Sequence, residues 1–310
     1  MLLSVARKSG VTSKLPRRAR GGEWQAVVSG AVLRQAAVDA AHETRIRTLS
    51  LIVESPKSTE QFTTGDLELV LWYLRYNINA QAPSFRQHTL SVMKKFMKRF
   101  EDSYKVIKRL KGLNEADNKV QYYLRFVEDL RDQCYASLLR GANLSRRCVA
   151  LQILVWCEQL DLEGYTRTWK SEYADKLLFH LDDSYEANKA LALQVLDKCP
   201  VELLKSQSGL YPTPSLEIDD IFHQASSLKP TECVSAAYKL DLVIRKLPEY
   251  ILQGEECSPV AEPVTYRAVS RLATALQAQL RVCERSVLRA ARHAPLYGLL
   301  HCVRHALHAL

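Results

Sequence analysis

Apolar residues recur every three or four positions along most of the chain, which is the spacing of one face of an α-helix. Strand-like alternation is rare, and short polar breaks containing Gly or Pro separate the helical stretches. The pattern predicts helices over residues 23–41, 44–54, 65–77, 84–110, 115–140, 145–160, 171–181, 183–198, 215–226, 230–247, 264–292 and 295–309.

These helices, joined mostly by short turns, predict an all-α fold. We expect an α-solenoid of HEAT or armadillo type, in which antiparallel helix pairs stack on their neighbours, rather than a closed bundle. We assign residues 1–22 to a flexible basic arm or loop and residues 23–310 to the solenoid. A longer loop is expected near 200–230, where the run SQSGLYPTPS interrupts the helical pattern.

The stretch PSFRQHTLSVMKKFMKRFEDSYKVIKRLKG, residues 83–112, is sharply divided between apolar and basic positions. Pro83 suits the first helical turn, and Ser84 with Gln87 matches a capping box. On a helical wheel, a sector of about 140° is apolar, and it holds Val92, Met93, Phe96, Met97, Phe100, Tyr104, Ile107 and Leu110. We expect this sector to pack against the core, with Phe96 and Phe100 buried.

The opposing sector, about 100° wide on the same wheel, is cationic and holds Lys94, Lys98, Lys105, Lys108 and Arg109. We call these five residues the lysine face. A second cationic stripe, about 80° wide, follows the predicted helix 264–292 and consists of Arg267, Arg271, Arg281, Arg285, Arg289 and Arg292. Both sets are candidate RNA-binding residues, because guanidinium and ammonium groups bind phosphate. The alternative is a solvated helix face whose long stems cover apolar neighbours.

Charge is segregated along the chain. The net charge is +9, yet residues 1–22 carry six basic residues and no acid, and residues 83–112 carry nine basic and two acidic residues. Residues 263–310 add seven basic residues against one acid, so the remaining residues are acidic overall. Such segregation steers charged partners to particular surfaces, with RNA and acidic protein patches as the candidates.

Cysteine, histidine and acidic residues form no pattern typical of a catalytic or metal site. The eight cysteines lack CxxC spacing, which predicts reduced, mostly buried thiols and favours the cytosol or the nucleus, and we expect a cytoplasmic protein. His301 and His305 have metal-ligand spacing but lack the acid of HExxH, and the pairs Asp182–Asp183 and Asp219–Asp220 suit helix caps. No apolar run reaches the roughly 18 residues of a membrane span. We therefore predict a non-enzyme without catalytic residues, metal or cofactor.

The run from Arg45 to Phe100 resembles the thyroid adenoma-associated protein (THADA) family of HEAT-like proteins. The resemblance is carried by the VESPKSTEQF turn, the YNINAQAPSFRQ junction and the KKFMKRF helix, and LSRRCVALQIL at 144–154 also fits. Family members are far longer than this chain, which therefore looks like a fragment. The family's RRSAGLP-type motif does not occur here, so no functional residue is carried over.

The resemblance implies a non-catalytic partner of the tRNA 2′-O-methyltransferase that modifies nucleotide 32 of the anticodon loop. The catalytic subunit would supply the S-adenosylmethionine chemistry, and the solenoid would hold and orient the tRNA. Segregated cations on a solenoid also suit recognition of structured RNA through its shape and phosphates. We therefore expect a regulatory, RNA-positioning subunit. The alternative is a protein-only HEAT-like scaffold whose stripes bind acidic partner surfaces.

Overall fold

The structure is a computed structural model that describes residues 30–251, except 55–59, 79, 111–113, 140, 142–143, 207–208, 210, 226 and 228, together with Thr274 and Gln277. Its helices are α1 Gly30–Ala36, α2 His42–Val53, α3 Thr64–Asn77, α4 Pro83–Arg109, α5 Asn114–Ser137, α6 Leu144–Gln159, α7 Ser171–Phe179, α8 Glu186–Leu196, α9 Val201–Lys205, α10 Ile218–Ala225 and α11 Pro230–Lys246, with 3-10 turns at His180–Asp182 and Pro248–Ile251. None of the described residues forms a strand, so the predicted all-α class is confirmed.

Most predicted helices in the described region agree with the structure to within a few residues at each end. The short helix α9 was not predicted, because five residues are too few to show a helical period. Between Lys205 and Ile218 the described residues belong to no helix. The predicted helices 264–292 and 295–309 and the arm 1–22 lie outside the described residues, and the division of the chain into an arm and a solenoid stays a prediction.

The chain divides into two compact units, Met1–Thr168 and Trp169–Leu310. In the first unit α3 packs beside α1 and α5, and α4 packs beside α2 and α6. Across these two rows α1 packs on α2, α2 on α3, α4 on α5 and α5 on α6. We call α1, α3 and α5 the odd layer and α2, α4 and α6 the even layer. Two layers of paired helices are the architecture of helical repeats.

In the second unit α11 packs on α8 and α10, while α7 contacts α8 and α9. The predicted cap at Asp182 is wrong, because its carboxylate accepts hydrogen bonds from Lys239 Nζ at 2.8 Å and Gln224 Nε2 at 3.1 Å. Lys239 is buried, and a buried ammonium group needs such a counter-charge. Helix α8 instead begins after Tyr185, which makes no side-chain cap.

The N-termini of α3 and α4 differ in how they are capped. At α3, the Thr63 hydroxyl accepts a hydrogen bond from the Asp66 amide, and the Asp66 carboxylate accepts one from the Thr63 amide. At α4 the predicted capping box of Ser84 and Gln87 is wrong. Pro83 takes the first helical position, where its missing N–H costs nothing, so Ser84 already lies inside the helix and Ala82 precedes it.

Aromatic side chains form the core beneath α4. The Phe100 ring lies 4.7 Å from Tyr123 and 5.3 Å from Phe126 of α5, and Phe96 lies 5.0 Å from Phe62, measured between ring centroids. Phe96 and Phe100 are fully buried, which confirms the predicted packing face. Aromatic contacts at these separations add to the stability that burial provides.

Arg99 of α4 is buried in this core, although it lies in the strongly basic segment. Its guanidinium carbon sits 4.0 Å from the centre of the Phe62 ring. The same group donates hydrogen bonds to the carbonyl oxygens of Val53 at 2.6 Å and Glu60 at 3.3 Å. Arg99 therefore ties the end of α2 and the chain just before α3 to α4.

We predict that Arg99→Lys lowers the free energy of unfolding by about 1–3 kcal/mol, because lysine keeps the charge but lacks the planar fork that reaches both carbonyls. Chemical denaturation of the two proteins measures the difference. Lys98→Arg is the matched control, since it makes the reverse exchange at the adjacent, exposed position. Equal stability of Arg99→Lys and the unmodified chain would contradict the described contacts.

A buried ion network joins α5 and α6 to the chain that follows them. Arg131 Nε lies 3.1 Å from a carboxylate oxygen of Glu158, and Arg167 Nε lies 2.9 Å from the other oxygen. Arg131 also donates to Glu128 at 3.3 Å and to the Thr168 carbonyl at 3.0 Å. Burial alone would lower the pKa of Arg131, but the Glu158 carboxylate raises it, so the guanidinium stays charged.

Candidate nucleic-acid interface

Helix α4 presents the lysine face outward from the even layer, since the opposite side of the helix packs on the aromatic core. Lys94, Lys98, Lys105 and Arg109 are exposed, whereas the Lys108 side chain is only 18% exposed. The predicted helical phase is therefore confirmed for these lysines. Leu110 was expected to pack, but it is 49% exposed and lies at the C-terminal end of α4, one residue after Arg109.

Lys94 and Lys98 lie together on a part of the lysine face that is open to a ligand. They are one turn apart, which places them about 6 Å apart along the helix axis. Among the described residues neither ammonium group has a carboxylate within ion-pair distance. The neighbouring Lys95, by contrast, has Glu54 at 3.8 Å. Two unpaired ammonium groups in water can each meet a phosphate without first giving up a partner.

Lys105 and Lys108 are engaged within the chain. Lys105 Nζ lies 2.5 Å from the carboxylate of Glu101, one turn earlier, and this hydrogen bond raises the pKa of Lys105. Lys108 Nζ lies 3.4 Å from the backbone oxygen of Glu163 and 3.8 Å from its carboxylate. These two lysines can bind a phosphate only in competition with carboxylates of their own chain.

The residues after α6 form a turn against the end of α4. Gly164 has φ +82°, a left-handed conformation that favours glycine. The backbone oxygen of Glu163 accepts a hydrogen bond from the Tyr104 hydroxyl. Burial is the main reason why the pKa of Tyr104 is raised. The turn and helix enclose a cleft of about 250 Å³ lined by Tyr104, Lys105, Lys108, Arg109, Asp161 and Glu163.

The second predicted stripe lies outside the described residues. It comprises Arg267, Arg271, Arg281, Arg285, Arg289 and Arg292, and the structure does not test its role. His301 and His305 also lie in that region.

The second unit contains a larger polar cleft of about 660 Å³ that includes none of the candidate residues. Its acidic side chains already have partners, since Asp182 binds Lys239 and Glu232 lies 2.9 Å from Lys229. The buried Lys189 donates to the Thr231 carbonyl beside the cleft. The cleft is therefore polar but locally compensated in charge.

An aromatic surface on the odd layer was missed in the sequence. The rings of Trp72 and Tyr76 lie 4.8 Å apart on α3, and the Arg34 guanidinium of α1 lies 5.7 Å from the Trp72 ring. Tyr76 is 49% exposed. We call Arg34, Trp72, Arg75 and Tyr76 the aromatic surface. In the sequence, the spacing of Trp72 and Tyr76 by one helical turn in LWYLRYN could have indicated this surface. The contribution of Arg34 from α1 could not have been predicted, because it depends on the packing of α1 against α3.

The described residues contain no group of three His, Cys, Asp or Glu side chains placed to hold a metal. In this same part of the chain no helix is long and apolar enough to cross a membrane. Cys134, Cys157, Cys199 and Cys233 are buried and Cys148 is half-buried, and no disulfide joins any two of these five described cysteines.

Comparison with known proteins finds relatives from several animals that all have the same name. The chain is 29% identical to the mouse (Mus musculus) tRNA (32-2′-O)-methyltransferase regulator THADA, 28% to the human (Homo sapiens) protein and 28% to the Drosophila melanogaster protein. These alignments cover 93%, 93% and 90% of the chain but only 16%, 16% and 15% of the relatives' lengths. No solved structure matches the chain significantly.

Residues 1–184 match the family described as Trm732, TPR repeats. This description agrees with the paired helices of the first unit, although it names TPR rather than HEAT or armadillo repeats. The relatives are named regulators of a methyltransferase, which supports the predicted non-catalytic role. The chain therefore belongs to the Trm732 TPR-repeat family, and the resemblance to THADA proteins seen in its sequence is confirmed.

Proposed function

We propose that this chain is a non-catalytic, RNA-positioning segment of a cytoplasmic regulator of 2′-O-ribose methylation at nucleotide 32 of the tRNA anticodon loop. Its partners are tRNA and the catalytic subunit of the methyltransferase. The names of the relatives support a role in regulating such an enzyme. RNA positioning rests on the chain's own residues.

The observation that carries RNA positioning is the pair Lys94 and Lys98. Both side chains are exposed on the outer side of α4, and neither has a carboxylate partner in the described part of the chain. Buried Phe96 and Phe100 fix the helix on which they stand. Ammonium groups on flexible stems bind phosphates as point charges and carry no code for base edges. We therefore assign them the task of holding the RNA backbone.

The remaining candidates support this contact in different ways. The cleft at the end of α4 is lined by Lys105, Lys108 and Arg109 and also by Asp161 and Glu163, whose negative charges partly offset the positive charges. The three basic residues would tighten an RNA already held by Lys94 and Lys98. The arginines from Arg267 to Arg292 would provide a second phosphate contact, since their guanidinium groups can bind phosphate oxygens in pairs.

The alternative is a protein-only scaffold that binds acidic partner surfaces. One observation favours it, namely that Lys105 and Lys108 already bind carboxylates, those of Glu101 and Glu163. A surface that accepts its own carboxylates can also accept those of a partner. RNA and protein partners differ in how steeply binding depends on salt, because each phosphate contact releases condensed counterions.

We predict that Lys94→Ala with Lys98→Ala weakens tRNA binding and flattens its dependence on salt. The slope of log affinity against log salt should fall by about 0.7–0.9 for each phosphate that a lysine no longer neutralises. Preference among different tRNAs should hardly change, because phosphate contacts carry no sequence information. Titration of labelled tRNA at several salt concentrations measures both quantities.

The matched control is Lys119→Ala with Arg125→Ala, which removes two exposed cations from α5 on the other layer. It changes the net charge equally, so it separates a local contact from a general effect of charge. Circular dichroism establishes that both variants are folded. If the two double variants bind tRNA with equally reduced affinity, or if neither is weakened, the proposed phosphate contact at Lys94 and Lys98 is wrong.

A further inference from the structure

The outer side of the odd layer exposes apolar side chains of substantial size. Val32 is exposed on α1, Val38 is exposed two residues after α1 ends, and Tyr76 is exposed on α3. Trp72 Nε1 donates to the Arg34 carbonyl at 3.3 Å, and Asn77 Nδ2 donates to the Ala37 carbonyl at 2.8 Å. These two contacts set α1 and α3 side by side in parallel register. The aromatic surface is therefore continuous across two helices of one layer.

The chemistry of this surface differs from that of the lysine face. Its cations are Arg34 and Arg75, and Glu68 lies 3.6 Å from Arg34. Trp, Tyr and Arg are the residues most enriched where protein–protein binding energy is concentrated, whereas Lys is depleted there. The two layers thus carry different binding groups: phosphate-binding lysines on the even layer, and rigid aromatics with arginine on the odd layer.

Several occupants fit this surface poorly. Neighbouring repeats stack along the rows of helices, whereas this surface spans two helices of the same row and faces away from the other layer. Residues 1–22 contain six basic residues and no acid, so they offer no carboxylate to Arg75.

We propose that the aromatic surface is the docking site for a protein partner, the catalytic subunit of the methyltransferase. This inference rests on the proposed function. The arginines outnumber the single glutamate, so the matching segment of the partner carries apolar side chains flanked by carboxylates. Tyr76 and Trp72 supply the apolar contact, and Arg75, at the edge of the aromatic surface, pairs with a carboxylate of the partner. The enzyme and the RNA then bind opposite layers of the first unit.

The test measures binding of the full 310-residue chain to the purified catalytic subunit and, separately, to tRNA. Arg75→Glu with Tyr76→Ala is the main variant, because both side chains are exposed and their exchange leaves the core intact. We expect affinity for the catalytic subunit to fall by at least about tenfold and affinity for tRNA to stay unchanged. Lys94→Ala with Lys98→Ala should show the reverse pattern.

Each outcome separates the two proposals. If the unmodified chain binds the catalytic subunit and the Arg75–Tyr76 variant binds it equally well, the docking site is wrong while the proposed function stands. If the variant instead binds tRNA more weakly, RNA occupies the surface and the docking site is again wrong. If the unmodified chain binds neither tRNA nor the catalytic subunit, the proposed function fails. Tyr185→Ala, at an exposed tyrosine in the second unit, is the control for removal of an aromatic side chain.

Discussion

Replacement of Arg131 by methionine should lower the free energy of unfolding by about 3–5 kcal/mol, because it leaves the buried Glu158 carboxylate with one cationic partner, Arg167, in place of two. The Arg131 side chain is 0% exposed and that of Glu158 is 3% exposed, so water cannot take the place of the guanidinium. Arg167 keeps one contact with Glu158 at 2.9 Å, which places the expected effect near the lower end of this range. Chemical denaturation measures the difference.

Arg125→Met on the same helix is the matched control. Arg125 is 82% exposed and 4.0 Å from Asp129, and such surface pairs contribute about 0–1 kcal/mol. Adding Glu158→Leu to Arg131→Met should recover part of the stability, since it removes the buried carboxylate that has lost one of its two cationic partners. If Arg131→Met is no more destabilising than Arg125→Met, the network contributes nothing to the stability of the first unit.

The helices could be predicted from the sequence because their apolar residues recur every three or four positions, which is the spacing of one helix face. The inward-facing polar residues could not. Arg99 lies in a basic segment, and only its contacts with Val53 and Glu60, some 40 residues earlier, explain its burial. Arg131 likewise depends on Glu158 from the next helix. A helical wheel shows only the position of a residue on its own helix and not its contacts with other helices. A charged residue is therefore assigned to the solvent-exposed side even where a partner from elsewhere in the chain allows it to be buried.

For the candidate site, too, the helix and its exposed side could be predicted from the sequence, whereas the partners from elsewhere in the chain could not. The phase of α4 follows from the sequence, and it places Lys94 and Lys98 outside. The engagement of Lys108 depends on Glu163, which a turn after α6 brings to the end of α4. The sequence therefore predicts one uniform lysine face, whereas in the structure Lys94 and Lys98 are open and Lys105 and Lys108 are paired within the chain.

Phe100→Ala should lower the free energy of unfolding by about 3–5 kcal/mol, the range typical of removing a buried aromatic ring. Phe100 is fully buried and packs against Tyr123 at 4.7 Å, Phe126 at 5.3 Å and Phe96 at 5.7 Å. These neighbours come from two helices, so they cannot close around the cavity without moving α4 relative to α5. The cost of the cavity therefore adds to that of the reduced burial.

Lys98→Ala is the matched control on the same helix, because its side chain is exposed and its removal should change stability by less than about 0.5 kcal/mol. Denaturation of both variants under the same conditions gives the comparison. A small effect of Phe100→Ala would mean that the aromatic core does not fix α4, and it would remove the rigid support on which Lys94 and Lys98 depend. A large effect of Phe100→Ala with a stable Lys98→Ala would separate the two faces of α4, one that maintains the fold and one that remains available to bind phosphate.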